Sequence, residues 1–151
     1  MNIMSPKYEE DVYGWAIHTA ELLRNRIMSE VDFDNIVEEI EALGRSEKYE
    51  LINRLSLIIS HLLKWQFQSE KRTRSWDLTI KEQRRMAKTH FKDNPSLKSK
   101  LDEILDDAYY IAKLKAERET SLPETTFPDK CPYSFEKIMS EEFYPEMGLV
   151  E

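Results

Sequence analysis

The sequence contains one cysteine, Cys131, so no disulfide bond can form within the chain. Intracellular proteins kept in a reducing environment commonly lack disulfides. The first eleven residues lack the basic-then-apolar order of a secretory signal peptide. The apolar runs are much shorter than the roughly 20 residues that a membrane-spanning helix requires. We therefore expect a cytoplasmic protein without a membrane segment.

Glycine is also scarce, with three residues in a chain of 151. The sequence has no glycine-rich phosphate-binding loop, and one cysteine cannot supply a paired-cysteine zinc site. Glu38 and Glu41 can share a helix face. The Glu-x-x-His repeat of di-metal helical bundles, however, is missing. We therefore expect no metal and no cofactor.

Leucine, glutamate and lysine are abundant, and apolar residues recur at helical spacing along most of the chain. These features predict an all-α protein, a bundle of four or five main helices. A chain of 151 residues suits one domain with a sizeable core. We expect the core to occupy about residues 6–120. Residues 121–151, rich in proline and aromatic residues, are expected to form an extended strap with a short helix after Ser134.

Residues 46–69 contain the longest apolar stretch and are predicted to form the helix around which the others pack. The apolar residues fall on two adjacent helical stripes: Leu51, Leu55, Ile58 and Leu62, then Ile52, Ile59 and Leu63. A preceding helix is predicted to begin near Asp32 or Asp34 and to be broken or kinked at residues 44–46, since glycine disfavours helix. Its predicted inner face comprises Phe33, Ile36, Val37, Ile40 and Leu43. Further helices are expected over about 6–28, 76–91 and 95–119.

Charge is distributed unevenly along the chain, whose net charge is −7. Residues 30–50 contain eight acidic and two basic residues, whereas residues 71–92 contain eight basic and two acidic ones. The two segments can lie side by side in a bundle and neutralise each other. Alternatively, the basic segment can form a phosphate-binding face.

One edge of the central helix is polar and includes Glu50, Arg54 and His61. These three residues are candidate catalytic groups for phosphodiester cleavage, with histidine as general acid or base and arginine stabilising the developing charge. The spacing of Arg54 and His61 is similar to the arginine-to-histidine motif of HEPN-type helical ribonucleases. Leu55 stands where that motif usually has a polar residue. The structural alternative is that Glu50 pairs with Arg54 and that His61 hydrogen-bonds within the helix packing.

The basic segment also contains candidate binding residues. An aromatic residue among bases is typical of proteins that stack on single-stranded nucleic acid and contact its phosphates. Trp76 equally fits the apolar period of its helix and can be a core residue. The candidate binding residues are Arg72, Arg74, Trp76, Arg84 and Arg85.

Several short sequence segments resemble a bacterial, often cyanobacterial, family known as domain of unknown function 29. They occur in the family's order from about residue 8 to residue 146. They are EEIEALGRSE at 38–47, HLLKWQFQ at 61–68, RSW at 74–76, KEQRR at 81–85, KDNPSL at 92–97 and FPDKCPY at 127–133. The resemblance implies a compact helical fold in a bacterial cytoplasmic protein, and it implies no activity.

Two functions remain open from the sequence. The absence of catalytic motifs favours a non-enzymatic protein-interaction module with a protein partner or a homo-oligomeric state. The alternative is a nucleic-acid-binding protein or a metal-independent ribonuclease that uses the Arg54–His61 edge and the basic segment 71–92.

Overall fold

A computed structural model describes residues 5–146 of the protein, most of which are helical. Within them, four long helices and one short helix form, and no strand is present, which confirms the predicted all-α bundle. The helices are α1 (Val12–Arg24), α2 (Phe33–Phe67), α3 (Arg74–Asp93), α4 (Leu101–Thr120) and α5 (Phe135–Met139). None of the helices described is long and apolar enough to cross a membrane. Residues 147–151 of the predicted strap lie outside the described residues.

The chain divides into two compact units, Met1–Arg45 and Ser46–Glu151. In the first unit, the Asp11 carboxylate accepts a hydrogen bond from the Gly14 amide at 2.9 Å and caps α1. Helix α1 therefore begins at Val12, later than the predicted start near residue 6. Whether the chain behaves as a single domain stays a prediction.

An N-terminal helical hairpin is formed by α1 and the first part of α2. A turn at Met28–Glu30 joins the helices, and the Tyr8 hydroxyl donates to the Glu39 carboxylate. Only about eight residues, 25–32, join the two helices, and short connections of this kind join antiparallel neighbours. Tyr8 also packs edge-on against Trp15, with ring centroids 4.9 Å apart.

Helix α2 is continuous from Phe33 to Phe67, so of the two predicted alternatives at residues 44–46, a break or a kink, the break is wrong. A glycine inside a helix costs only about 1 kcal/mol. The apolar period of the sequence also continues past Gly44 without a change of phase, so a longer helix satisfies the same pattern.

The predicted inner face of the first part of α2 is also wrong for four of its five residues. Phe33, Val37, Ile40 and Leu43 are 52%, 52%, 63% and 63% exposed, and Ile36 is half-buried. Periodicity identifies an apolar face but does not identify what covers it. In the described chain, this part of the face is uncovered.

The core of the second unit forms around the second part of α2, as predicted for residues 46–69. Both stripes are buried, with every one of the seven side chains at most 2% exposed. Helix α3 contributes Ile80 and Ala87, and α4 packs with four buried residues, Ile104, Ala108, Ala112 and Ala116. The small alanine side chains of α4 allow close approach of the helices.

The strap after α4 is held by buried polar groups as well as by apolar packing. The Arg84 guanidinium donates to the carbonyl oxygens of Ile138 and Phe143, both at 2.8 Å. The Tyr133 hydroxyl donates to Gln66 Oε1 at 2.6 Å. Ser134 caps α5, which confirms the short helix predicted after this residue.

Replacing Arg84 by methionine leaves the buried strap carbonyls without their donor. A hydrogen bond from a charged group contributes about 1.5–3 kcal/mol, so we expect the free energy of unfolding to fall by roughly 3–6 kcal/mol. The exposed neighbour Arg85 provides a matched control, because Arg85→Met should change stability by no more than about 0.5 kcal/mol. Urea denaturation followed by circular dichroism measures both variants. Equal losses would contradict the role of Arg84 in holding the strap.

Candidate functional site

Arg54 lies on α2 and turns toward α3. Its Nη1 donates to Gln83 Oε1 at 3.1 Å and lies 3.3 Å from Met86 Sδ. Its Nε lies 3.6 Å from Glu50 Oε2, and this buried nitrogen has no hydrogen-bond partner. Arg54 therefore links α2 to α3, and one turn of helix separates it from Glu50.

Glu50 has a closer partner than Arg54, namely His90 of α3. The carboxylate lies 2.8 Å from His90 Nδ1. His90 Nε2 lies 2.7 Å from the Glu47 carbonyl and 3.4 Å from the Glu47 carboxylate. His90 is 8% exposed, so this imidazole is a buried bridge between the two helices. Sequence reasoning missed it, because Glu47, Glu50 and His90 are brought together only by helix packing.

His61 is half-buried on α2, and its Nδ1 lies 2.9 Å from the Leu57 carbonyl. Burial lowers the pKa of the imidazole, and the Leu57 hydrogen bond partly opposes that shift. A carbonyl only accepts hydrogen bonds, so Nδ1 carries the proton and the neutral ring keeps its lone pair on Nε2. This state has the chemistry of a general base.

The three candidate catalytic residues do not form one cluster. Arg54 and His61 are seven residues apart, which corresponds to roughly 10 Å along the helix. Within residues 5–146, no hydrogen bond or ion pair joins His61 to Arg54 or Glu50. Arg54 contacts α3, Glu50 contacts His90, and His61 bonds to its own helix.

The candidate binding residues have different environments. Arg84 is buried and donates to the strap. Arg72 is exposed, donates from Nε to the Trp65 carbonyl at 2.8 Å, and stacks on the Trp65 ring at 4.9 Å. Trp76 is half-buried beneath Lys64, whose Nζ lies 4.8 Å from the ring centroid. Trp76 is therefore not an open stacking platform.

Arg74 and Arg85 lie on an exposed basic face of α3. At about 100° per residue, the members of this basic face fall on one side of the helix. They are Arg74, Lys81, Arg85, Lys88 and Lys92, and all five are exposed. In the described chain, only Lys81 of the five forms an ion pair, with Asp77 at 3.0 Å. The sequence placed these bases in one segment, but helix geometry separates them from Arg84.

The residues that the structure describes form neither a metal-binding site nor a site with a reactive thiol. No group of three or more histidine, cysteine, aspartate or glutamate residues is arranged there to hold a metal ion. Burial raises the pKa of the Cys131 thiol, which disfavours the reactive thiolate. Cys131 lines an open cleft of about 690 Å³ that also contains Asp129 and Lys130, with charges of both signs.

The N-terminal hairpin carries an exposed apolar surface, which we call the apolar hairpin face. It consists of Val12, Tyr13, Ala16, Ile17 and Ala20 of α1 with Phe33, Val37, Ile40 and Leu43 of α2, all exposed. Tyr13 is 79% exposed, more than any other large apolar side chain of this face. The residues that define this face are uncharged, and the exposed Arg24 follows them on the same side of α1. Sequence periodicity predicted the α2 part but assigned it to the core.

A comparison with protein families agrees with the resemblance carried by the sequence phrases. The family described as Domain of unknown function DUF29 matches residues 7–144, a range that includes every helix found among residues 5–146. No curated protein and no solved structure matches the chain. The protein belongs to the DUF29 family.

Proposed function

We propose that this protein is a non-enzymatic protein-interaction module of the bacterial cytoplasm, and that it binds through the apolar hairpin face. The observation that supports the proposal is the exposure of seven large apolar side chains, each at least 52% exposed, in a unit of 45 residues. Scattered exposed apolar residues are ordinary, but contiguous exposed apolar patches mark interaction sites. Their burial against a partner supplies the free energy of binding.

The environment of the candidate catalytic residues supports a structural role for them. The closest partners of Glu50 and Arg54 are side chains of α3, and the Nδ1 of His61 bonds within α2. A catalytic base and a charge-stabilising arginine must converge on one reacting group. These side chains diverge, and their contacts hold the helices together.

Glutamate substitutions on the apolar hairpin face should abolish partner binding. Val37→Glu with Ile40→Glu places two charges where apolar contact is required, which is costly when buried. Leu78→Glu is the matched control, since Leu78 is 49% exposed on α3 in the other unit. Immobilised wild-type protein and both variants are exposed to an extract of the source cells, and the bound proteins are quantified. A protein retained by the wild type and by the control, but lost with the double variant, is the expected result. Equal retention by all three would contradict the proposal.

The basic face of α3 favours nucleic-acid binding as a second function. Its five exposed bases lie on a helix of 20 residues, and four of them form no ion pair within residues 5–146. Lysine and arginine aligned on one face form the electrostatic footprint of a nucleic-acid-binding surface. Trp76 and Phe91, the aromatic residues of α3, are only half-exposed, which favours phosphate contact over base stacking.

If this second function operates, charge reversal on the basic face should weaken RNA binding. Arg85→Glu with Lys88→Glu removes two phosphate contacts and adds repulsion, so we expect affinity for a labelled single-stranded RNA to fall at least about tenfold. Lys98→Glu with Lys100→Glu, on the exposed Pro95–Lys100 turn, is the control for the same change in net charge. Fluorescence anisotropy at two salt concentrations measures both. An equal loss in the two variants would show that only net charge matters.

His61→Ala should leave RNA cleavage unchanged if the protein is not an enzyme. The assay compares wild type and variant for degradation of single-stranded RNA in the presence of a chelator. Because burial lowers the pKa of His61, the ring remains neutral at a pH where an ordinary imidazole is protonated. A cleavage activity that requires His61 and persists into that acidic range would overturn the non-enzymatic proposal.

A further inference from the structure

We infer that the apolar hairpin face is covered by the same face of a second copy of this chain, so that two hairpins form a four-helix bundle with two-fold symmetry. This inference rests on the proposed function, because it names the partner of the same surface. The inference depends on the direction in which each helix of the hairpin presents its apolar residues.

Helix α1 has a buried side and a separate apolar exposed side. Its buried residues are Trp15, Thr19 and Leu22. At about 100° per residue, the exposed apolar residues of α1 centre roughly 125° further round the helix than the buried ones. Helix α1 is therefore apolar both where it is buried and where it meets solvent.

Helix α2 shows the same offset in its first part. Glu39 marks the side that faces α1, because it accepts the hydrogen bond from Tyr8. Phe33, Val37 and Ile40 centre roughly 125° further round in the same rotational sense, whereas Leu43 lies only about 40° from Glu39. Because the two helices are antiparallel, equal rotations in the same sense bring both exposed faces to the same side of the hairpin. The apolar hairpin face is therefore one surface.

A hairpin with one such surface is half of a four-helix bundle. Two helices alone form a single layer, and a helical layer buries its apolar side against another layer. In the described part of the first unit, only Trp15, Thr19 and Leu22 are buried. The exposed large side chains offer several hundred Å² of apolar area, approaching the roughly 800 Å² per partner of a standard interface. A second hairpin supplies a matching area, as a two-fold symmetric contact requires.

Small residues on the surface permit helices to approach closely. Ala16 and Ala20 lie among the larger side chains of α1. Gly44 continues the α2 stripe, and a Cβ added there would meet no atom within 4 Å. Small residues opposite large ones allow two copies of a surface to interdigitate. Arg24 lies at the end of this surface on α1 and is paired with Glu21, so self-association need not bury an unpaired ion.

The net charge of the first unit predicts how the stability of the dimer depends on salt concentration. Residues 1–45 contain ten acidic and four basic residues, a net charge of −6. Two copies of such a unit repel each other, and salt screens repulsion between exposed charges. A dimer of hairpins should therefore tighten as salt is added, whereas docking of a basic partner protein should weaken.

Sedimentation velocity of the purified full-length protein tests the inference. We expect a dimer whose dissociation constant decreases when salt is raised from about 0.05 M to about 0.5 M. Val37→Glu with Ile40→Glu, and separately Ile17→Glu on α1, should each raise the dissociation constant at least tenfold. Leu78→Glu should leave it unchanged. Circular dichroism checks that helix content is retained, which the exposure of all these positions leads us to expect.

A monomeric wild-type protein at every salt concentration would overturn the inference, as would a dimer that persists in both hairpin variants. A monomer that nevertheless captures a different protein through the apolar hairpin face would overturn the dimer alone and leave the proposed function standing. If the protein neither self-associates nor captures another protein through this face, both the dimer and the proposed function are overturned.

Discussion

Burial of the second part of α2 is the constraint on which the rest of the second unit depends. Its two apolar stripes cover a wide arc of the helix, so one neighbouring helix cannot remove both from water. Side chains from α3, α4 and the strap join the same core cluster. The strap has little regular structure, and its carbonyl groups need donors when they are buried. Arg84 of α3 supplies such donors, and Gln66 of α2 accepts a hydrogen bond from the Tyr133 hydroxyl, so that an irregular segment can complete a helical core.

Polar contacts set how α2 and α3 meet. Glu47, Glu50 and Arg54 follow one edge of α2, and they meet His90 and Gln83 of α3. Paired and hydrogen-bonded groups of this kind avoid the large cost of burying isolated charges. The same contacts occupy side chains that would otherwise be available to a substrate. A polar edge that looks catalytic in the sequence thus has a sufficient explanation in helix packing.

The apolar residues of α2 are exposed near its first end and buried in its second part. Leu51, Leu55 and Leu62 are fully buried, whereas Phe33 and Ile40, which continue the same phase, are more than half exposed. The chain therefore presents in its first unit the kind of surface that it buries in its second. An apolar surface of this size costs free energy in water, and the proposed partner would remove that surface from water. The basic face of α3 is a separate, charged surface, so the two proposed functions rest on different parts of the molecule.

The sequence by itself determined the helical class, the central position of residues 46–69 and the short helix after Ser134, because helical period, caps and turn residues act over a few positions. The family followed from phrases spread along nearly the whole chain. Tertiary structure alone decided which apolar stripes are covered, that Arg84 is buried while Arg85 is exposed, and that Glu50 meets His90 rather than His61. These outcomes depend on neighbours 40 or more residues away in sequence, as Glu50 and His90 are. Period defines a face of a helix, and only packing decides whether that face meets protein or solvent.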